Sequence, residues 1–137
     1  MQTFLPYSDF FESAKCLHPK HLGNQYYREG MTLLNGGWKN HPAHKMWRGY
    51  EKSLTEYLLF CQKTLQLKGK WYGKTAVKLR HIRKSLPDTG YPPWLGNKEF
   101  HASHRSNLLK KDKEKGWNWY IKIGWPEEET LPYVWPI

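Results

Sequence analysis

The stretch PAHKMWRGYEKSLTEYLLFCQKTLQLK, residues 42–68, decides the fold class. Met46, Tyr50, Leu54, Tyr57, Leu58, Cys61 and Leu65 recur in it at steps of three and four residues. That spacing aligns side chains along one face of an α-helix. Pro42 suits a first helical turn, where its missing N–H has no partner to lose, and Gly69 supplies a stop. The pattern predicts one helix from Pro42 to about Lys68 whose apolar stripe forms a wall of the core.

Outward from this helix the chain keeps the same period. Met1–Pro6 reads as an extended arm carrying Phe4 and Leu5. Ser8 or Asp9 can cap a short helix to about Leu17, with Phe10, Phe11 and Ala14 inward. His18-Pro19 starts a second helix with Leu22, Tyr26, Leu33 and Leu34 as its stripe, ended by Asn35-Gly36-Gly37. Gly23 and Gly30 weaken it, which suggests close approach of the backbone to a partner. Thr75 to Leu86 reads as a basic amphipathic helix with Val77, Leu79 and Ile82 apolar. Asn97 caps a last helix through Lys111, with Phe100, His104 and Leu108 on one face. Pro87–Gly96 is a loop, and the tail from Gly116 is ordered by packing its rings. No run alternates with the period of a strand. The expectation is an all-α, compact single-domain helical fold spanning 1–137, with an extended N-terminal arm and an aromatic-rich irregular C-terminal tail.

The length of 137 residues fits one core, and 39% hydrophobic with 25% charged residues is globular composition. No apolar run nears a membrane span of about 20 residues, and no charged-then-apolar leader opens the chain, so membrane and secreted classes are excluded. Cys16 and Cys61 lack metal-ligand spacing and are too few for a disulfide framework, which leaves reduced core roles. The net charge of +10 is unevenly placed. Residues 1–38 and 85–137 each balance to zero, whereas 39–84 hold twelve basic residues against Glu51 and Glu56. So local an excess is a footprint for phosphates and predicts salt-sensitive duplex binding through Lys45, Arg48, Arg80 and Arg83.

Gly-rich phosphate loops, nucleophile elbows and zinc signatures are absent. Two His-x-x-His pairs, His41/His44 and His101/His104, have helical spacing but no supporting Cys or carboxylate, so capping, core or phosphate-contacting roles are expected and no metal. No cofactor is implied. The second helix is more pointed. His21, Asn24, Gln25, Arg28 and Glu29 cluster on or beside one face, and Arg, Asn and Gln grip phosphates and base edges. Glu29 has two readings: an ion-pair partner for Arg28, or a carboxylate that does acid/base and electrostatic work at a sugar carbon.

The chain resembles the pyrimidine-dimer DNA glycosylase family, the endonuclease-V-type repair enzymes of phages and their bacterial relatives. The resemblance rests on Met1-Gln2-Thr3-Phe4-Leu5-Pro6-Tyr7 and on Leu17-His18-Pro19-Lys20-His21-Leu22-Gly23 leading to Tyr27-Arg28-Glu29. Gly37-Trp38-Lys39-Asn40-His41-Pro42 and Met46-Trp47-Arg48-Gly49-Tyr50-Glu51 come next along the chain. Phe100-His101-Ala102-Ser103-His104-Arg105-Ser106-Asn107-Leu108-Leu109 and Leu131-Pro132-Tyr133-Val134-Trp135-Pro136 complete it. It implies a bifunctional glycosylase/AP lyase, in which an N-terminal α-amine displaces the base at C1′ and the resulting imine permits β-elimination. It implies Glu29 as the assisting glutamate, beside Arg28 and with His21 close by, and a phosphate grip that includes Arg105 and Lys110 or Lys111. Lys20, Asn24 and Gln25 of the second helix are expected to join these as DNA contacts. It also implies a monomer acting on lesion-containing double-stranded DNA, in the cytoplasm of a bacterial or phage-infected cell.

One departure bears on the nucleophile. The phage enzymes expose a small second residue after Met removal, whereas Gln2 is too large for ready removal and would cyclise if exposed. The role therefore passes to the α-amine of Met1, with Lys20 as fallback. Two other readings compete: a non-catalytic DNA-binding protein of the same fold, and a glycosylase for another modified pyrimidine.

Overall fold

The computed structural model describes residues 2–70 and 73–136, without the side chain of Tyr27. The described elements are α1 (Phe10–Cys16), α2 (Pro19–Asn24), a π-helical segment (Gln25–Gly30), α3 (Met31–Leu34), α4 (Pro42–Trp47), α5 (Glu51–Leu67), α6 (Gly73–Ser85), α7 (Lys98–Lys115) and a 3₁₀ turn (Ile121–Ile123). The fold is all-α, and no strand occurs among the described residues. None of the described helices is long and apolar enough to cross a membrane.

Local chemistry sets most boundaries. Asp9 caps α1 by accepting from Glu12 N–H at 2.8 Å, and Asn97 caps α7 by accepting from Phe100 N–H at 3.0 Å. Histidines do the same where Pro comes next: His18 accepts from Lys20 N–H and His41 from Ala43 N–H. Gly36, Gly69 and Gly116 end their helices with φ near +82°, +82° and +68°. Helix α7 runs one turn past the expected Lys111.

The expected single helix Pro42–Lys68 is two helices, broken at Arg48–Tyr50 with Gly49 at φ +88°. The break has a tertiary cause. Trp94 Nε1–H donates to the Met46 carbonyl at 2.9 Å, and Tyr50 N–H turns instead to the Trp47 carbonyl at 2.8 Å. The apolar stripe survives it, because Met46, Leu54, Tyr57, Leu58, Cys61 and Leu65 are all buried. In α6, Ala76 and Leu79 are buried while Val77 is 65% exposed, so Val77 lies outside the expected stripe. Phe11 is only half-buried and stacks on Phe60.

The second helical region is continuous from Pro19 to Leu34 but carries the π segment at its centre. A π turn adds a residue and rotates the later part of the helix. Gly30 marks a close approach, as expected, and the partner is α5: a Cβ there would lie 2.4 Å from Leu58 Cδ2. Gly23 marks none, with nothing within 4 Å of such an atom.

The tail is organised by a carboxylate that the sequence shows only as a charge among lysines. Asp112 is 4% exposed and accepts from the backbone N–H groups of Trp119, Tyr120 and Ile121 at 2.8–3.1 Å. The chain then runs back along α7. Ser106 Oγ accepts Leu131 N–H, Ser103 Oγ accepts Val134 N–H, and Arg105 pairs with Glu127. This return path carries Tyr133 and Trp135 to the N-terminal arm.

Candidate active site and DNA interface

The arm is the organising element. Gln2 to Pro6 are all buried, so this extended segment threads the core instead of lying on the surface. Extended backbone has no partners of its own and must find them in side chains. Trp47 Nε1–H donates to Thr3 Oγ1 at 2.8 Å, Phe4 N–H donates to Gln25 Oε1, and the Tyr57 hydroxyl donates to the Phe4 carbonyl. The His101/His104 pair closes on Leu5. Leu5 N–H donates to His104 Nδ1 at 2.8 Å, while the Leu5 carbonyl meets His101 Nδ1 at 2.7 Å. Gly96 N–H donates to His101 Nε2, and Arg105 Nη1 donates to the Pro6 carbonyl at 2.7 Å.

At the arm's beginning lies Glu29. Gln2 N–H donates to Glu29 Oε2 at 3.1 Å. Burial raises the Glu29 carboxyl above its ordinary range, opposed by that hydrogen bond and by positive charge that includes Lys111. Lys111 is half-buried, with Nζ 6.0 Å over the Phe4 ring. Tyr133 packs on Phe4 and His104 and feels the Glu29 charge. Trp135 adjoins Tyr133 at 5.3 Å and His41 at 5.8 Å. The floor is thus a half-buried carboxylate and the walls are aromatic. No ion pair between Glu29 and Arg28 occurs among the described residues.

The other sequence-derived residues divide by environment. Gln25 is 1% exposed and spends its amide on Phe4 N–H and Cys61 Sγ, so it is not a surface contact. The arm's need for a partner overrode the helical-face reading. His21 Nδ1 lies 2.7 Å from the Tyr120 hydroxyl, and burial, then Lys111, lowers its pKa to about 4. At neutral pH it is an uncharged ring stacked on Tyr120, not a cation for phosphate. Arg105 is committed to Glu127 and Pro6. Lys20, Asn24, Arg28, Lys45, Arg48, Arg80 and Lys110 are exposed. Lys20 Nζ sits 6.0 Å over the Trp117 ring, and Arg48 donates to the Lys39 carbonyl. Arg80 and Arg83 line a groove between α5 and α6 together with Lys63. Met1 lies outside the described residues. Tyr133, Trp135 and the backbone of Gln2 were not legible as site components, since only the folded tail and arm bring them together.

The clamp has a pH consequence. Burial lowers the His104 pKa to about 3 and also lowers that of His101. The unfolded chain therefore binds more protons than the native state between the ordinary value of 6.5 and these lowered ones. Stability is fully present above 6.5 and is lost as pH falls through that window, by about 1.4 kcal/mol per pH unit for each histidine that must charge. The raised Glu29 pKa acts in the opposite direction. The urea midpoint should drop between pH 6.5 and 5, above the ordinary carboxylate range. A midpoint constant over that interval would contradict the neutral clamp.

The family model described as "Pyrimidine dimer DNA glycosylase" matches residues 1–78, which hold the arm, Glu29 and helices α1 to α5. Searches of curated proteins and of solved structures returned no match. With more than half of its length covered by that family, the chain belongs to the pyrimidine dimer DNA glycosylases, DNA repair enzymes whose substrate is DNA.

Proposed function

We propose that the protein is a bifunctional DNA glycosylase and AP lyase for damaged pyrimidines, with the α-amine of Met1 as nucleophile and Glu29 as the assisting carboxylate. The observation that carries this is the 3.1 Å hydrogen bond from Gln2 N–H to Glu29, made by an arm pinned along its length. The nucleophile belongs to the residue one peptide unit before Gln2, and consecutive Cα atoms lie about 3.8 Å apart.

In this reading the neutral amine attacks C1′ and the C1′–N bond to the base breaks, its electron pair leaving with the base, which takes up a proton. Glu29, in its carboxylate form, stabilises the cationic sugar and relays the proton lost by the amine. The sugar ring opens to an imine, O4′ becoming a hydroxyl. Loss of a C2′ proton then expels the 3′ phosphate. An α-amine suits the task because its ordinary pKa of about 8 lies some two units below that of lysine. Lys20 has a weaker claim, being exposed beside Trp117. Lys111, Arg28, Asn24 and Lys110 hold phosphates near the site, with Lys45, Arg48, Arg80 and Arg83 as the wider footprint. The whole chain 1–137 works as one domain and as a monomer, in the cytoplasm of a bacterial or phage-infected cell.

Borohydride trapping on duplexes bearing a panel of pyrimidine lesions tests the reading. A stable covalent adduct is expected with a pyrimidine dimer, because hydride reduces the imine to an amine. Base release without any adduct would replace it with a monofunctional mechanism in which Glu29 activates water. Duplex binding without either product would leave a DNA-binding protein of the same fold.

A further inference from the structure

Trp38 combines two unfavourable features in the folded chain. It holds φ +57°, a left-handed backbone that bulky residues rarely adopt. Its indole is also 59% exposed. Such a conformation persists only when its surroundings over-determine it, and here they do. Gly37 N–H donates to the Thr32 carbonyl at 2.9 Å, His41 N–H donates to the Trp38 carbonyl at 2.9 Å, and His44 Nδ1 lies 2.8 Å from the Gly37 carbonyl. Arg48 adds a bond to the Lys39 carbonyl. The loop between α3 and α4 is therefore a rigid mount for a protruding ring.

The mount adjoins the candidate active site. Trp38 meets His41 edge-on at 5.9 Å, and the row continues through Trp135 and Tyr133 to Phe4, against which Lys111 lies. Lys39 follows Trp38 in the chain and its carbonyl accepts from Arg48, while Lys45 lies in the next helix; all three are exposed and positive, as a base-stacking ring placed among phosphate contacts requires. We infer that Trp38 is a wedge that enters the duplex beside the lesion and fills the stack vacated when a nucleotide is extruded. This rests on the glycosylase reading above. It makes Trp38 a positioning residue for extrusion, separate from the chemistry at C1′.

A wedge matters only where bases must be unstacked. Trp38→Asn removes the ring while keeping a residue tolerant of left-handed backbone, and Trp38→Phe keeps a stacking face. On a fully paired lesion duplex, Trp38→Asn should slow single-turnover base release by about ten-fold or more, the scale of one lost base–aromatic stack. On DNA whose lesion faces an abasic stretch, and so is already unstacked, it should stay within about two-fold of the native protein. Trp38→Phe should recover most of the loss. A 2-aminopurine next to the lesion should brighten when the native protein binds and stay dark with Trp38→Asn. Equal loss on both substrates, or no loss on either, would overturn the assignment. If the native protein released no base from either DNA, the glycosylase reading would fall instead, and the 2-aminopurine signal, which needs no turnover, would still decide the wedge.

Discussion

Glu29→Gln is expected to leave the protein folded and bound to DNA while slowing base release by about a hundred- to ten-thousand-fold, the range for loss of a positioned acid/base or charge-stabilising group. The amide preserves size and still offers an oxygen to Gln2 N–H, so the arm keeps its bond. The remaining anchors lie elsewhere, on Trp47, Gln25, Tyr57 and His104. Only the negative charge beside the sugar disappears. The loss should therefore fall on the chemical step, with affinity unchanged or tighter because one repulsion against phosphate is gone. The same carboxyl is expected to set the acid limb of the native pH profile. Burial raises its pKa, so activity should fall at a pH above the ordinary carboxylate range as protonation removes the charge. Glu12→Gln is the matched control, on an exposed carboxylate that pairs with Lys15. Native turnover in Glu29→Gln would reduce Glu29 to an anchor for the arm.

The features legible in the sequence were local ones. The caps at Asp9 and Asn97, the stops at Gly36 and Gly69, and the buried stripe of α5 arise from neighbours a few residues away. The unforeseen features depend on partners distant in sequence. Helix α4 stops because Trp94 takes the Met46 carbonyl, a contact across 48 residues. Gln25 and Asn24 looked equivalent as polar contacts, and the threaded arm separates them by claiming Gln25. His21 carries a formal cation's pattern but sits neutral against Tyr120, about a hundred residues later in the chain. Asp112 read as one charge in a lysine-rich run and instead ties down three backbone amides of the tail.

The family resemblance points to Glu29 as the assisting carboxylate, a role that spacing alone left between two readings. The structure adds the reason that this position suits a carboxylate. The π segment carries it, and a π turn rotates the residues beyond it relative to a regular helix. Glu29 is thereby set against the arm, while Arg28 beside it is exposed. Fold and site are the same construction here: the contacts that bury Phe4 and Leu5 also hold Gln2 on the carboxylate.

Blocking the N-terminus should abolish trapping altogether. If the α-amine of Met1 is the nucleophile, the reduced adduct maps to the first peptide with the methionine retained. Acetylation removes the lone pair from attack. A single added residue displaces the amine by about 3.3–3.6 Å, beyond the tolerance of a near-attack geometry. The arm cannot slide to compensate. A one-residue shift would take Phe4 N–H off Gln25 and Leu5 N–H off His104, and would move Leu5, which is fully buried, out of its place in the core. For the same reason neither change should unfold the chain, because the anchoring contacts begin at Gln2 and are untouched. Circular dichroism and duplex affinity should match the unmodified protein while borohydride adduct falls to background. Full trapping by the blocked protein would exclude the α-amine and move the imine to a lysine, with Lys20 the first to replace. Base release that persists without trapping would leave Glu29 acting on water, and Glu29→Gln in the blocked background would then remove that remaining activity.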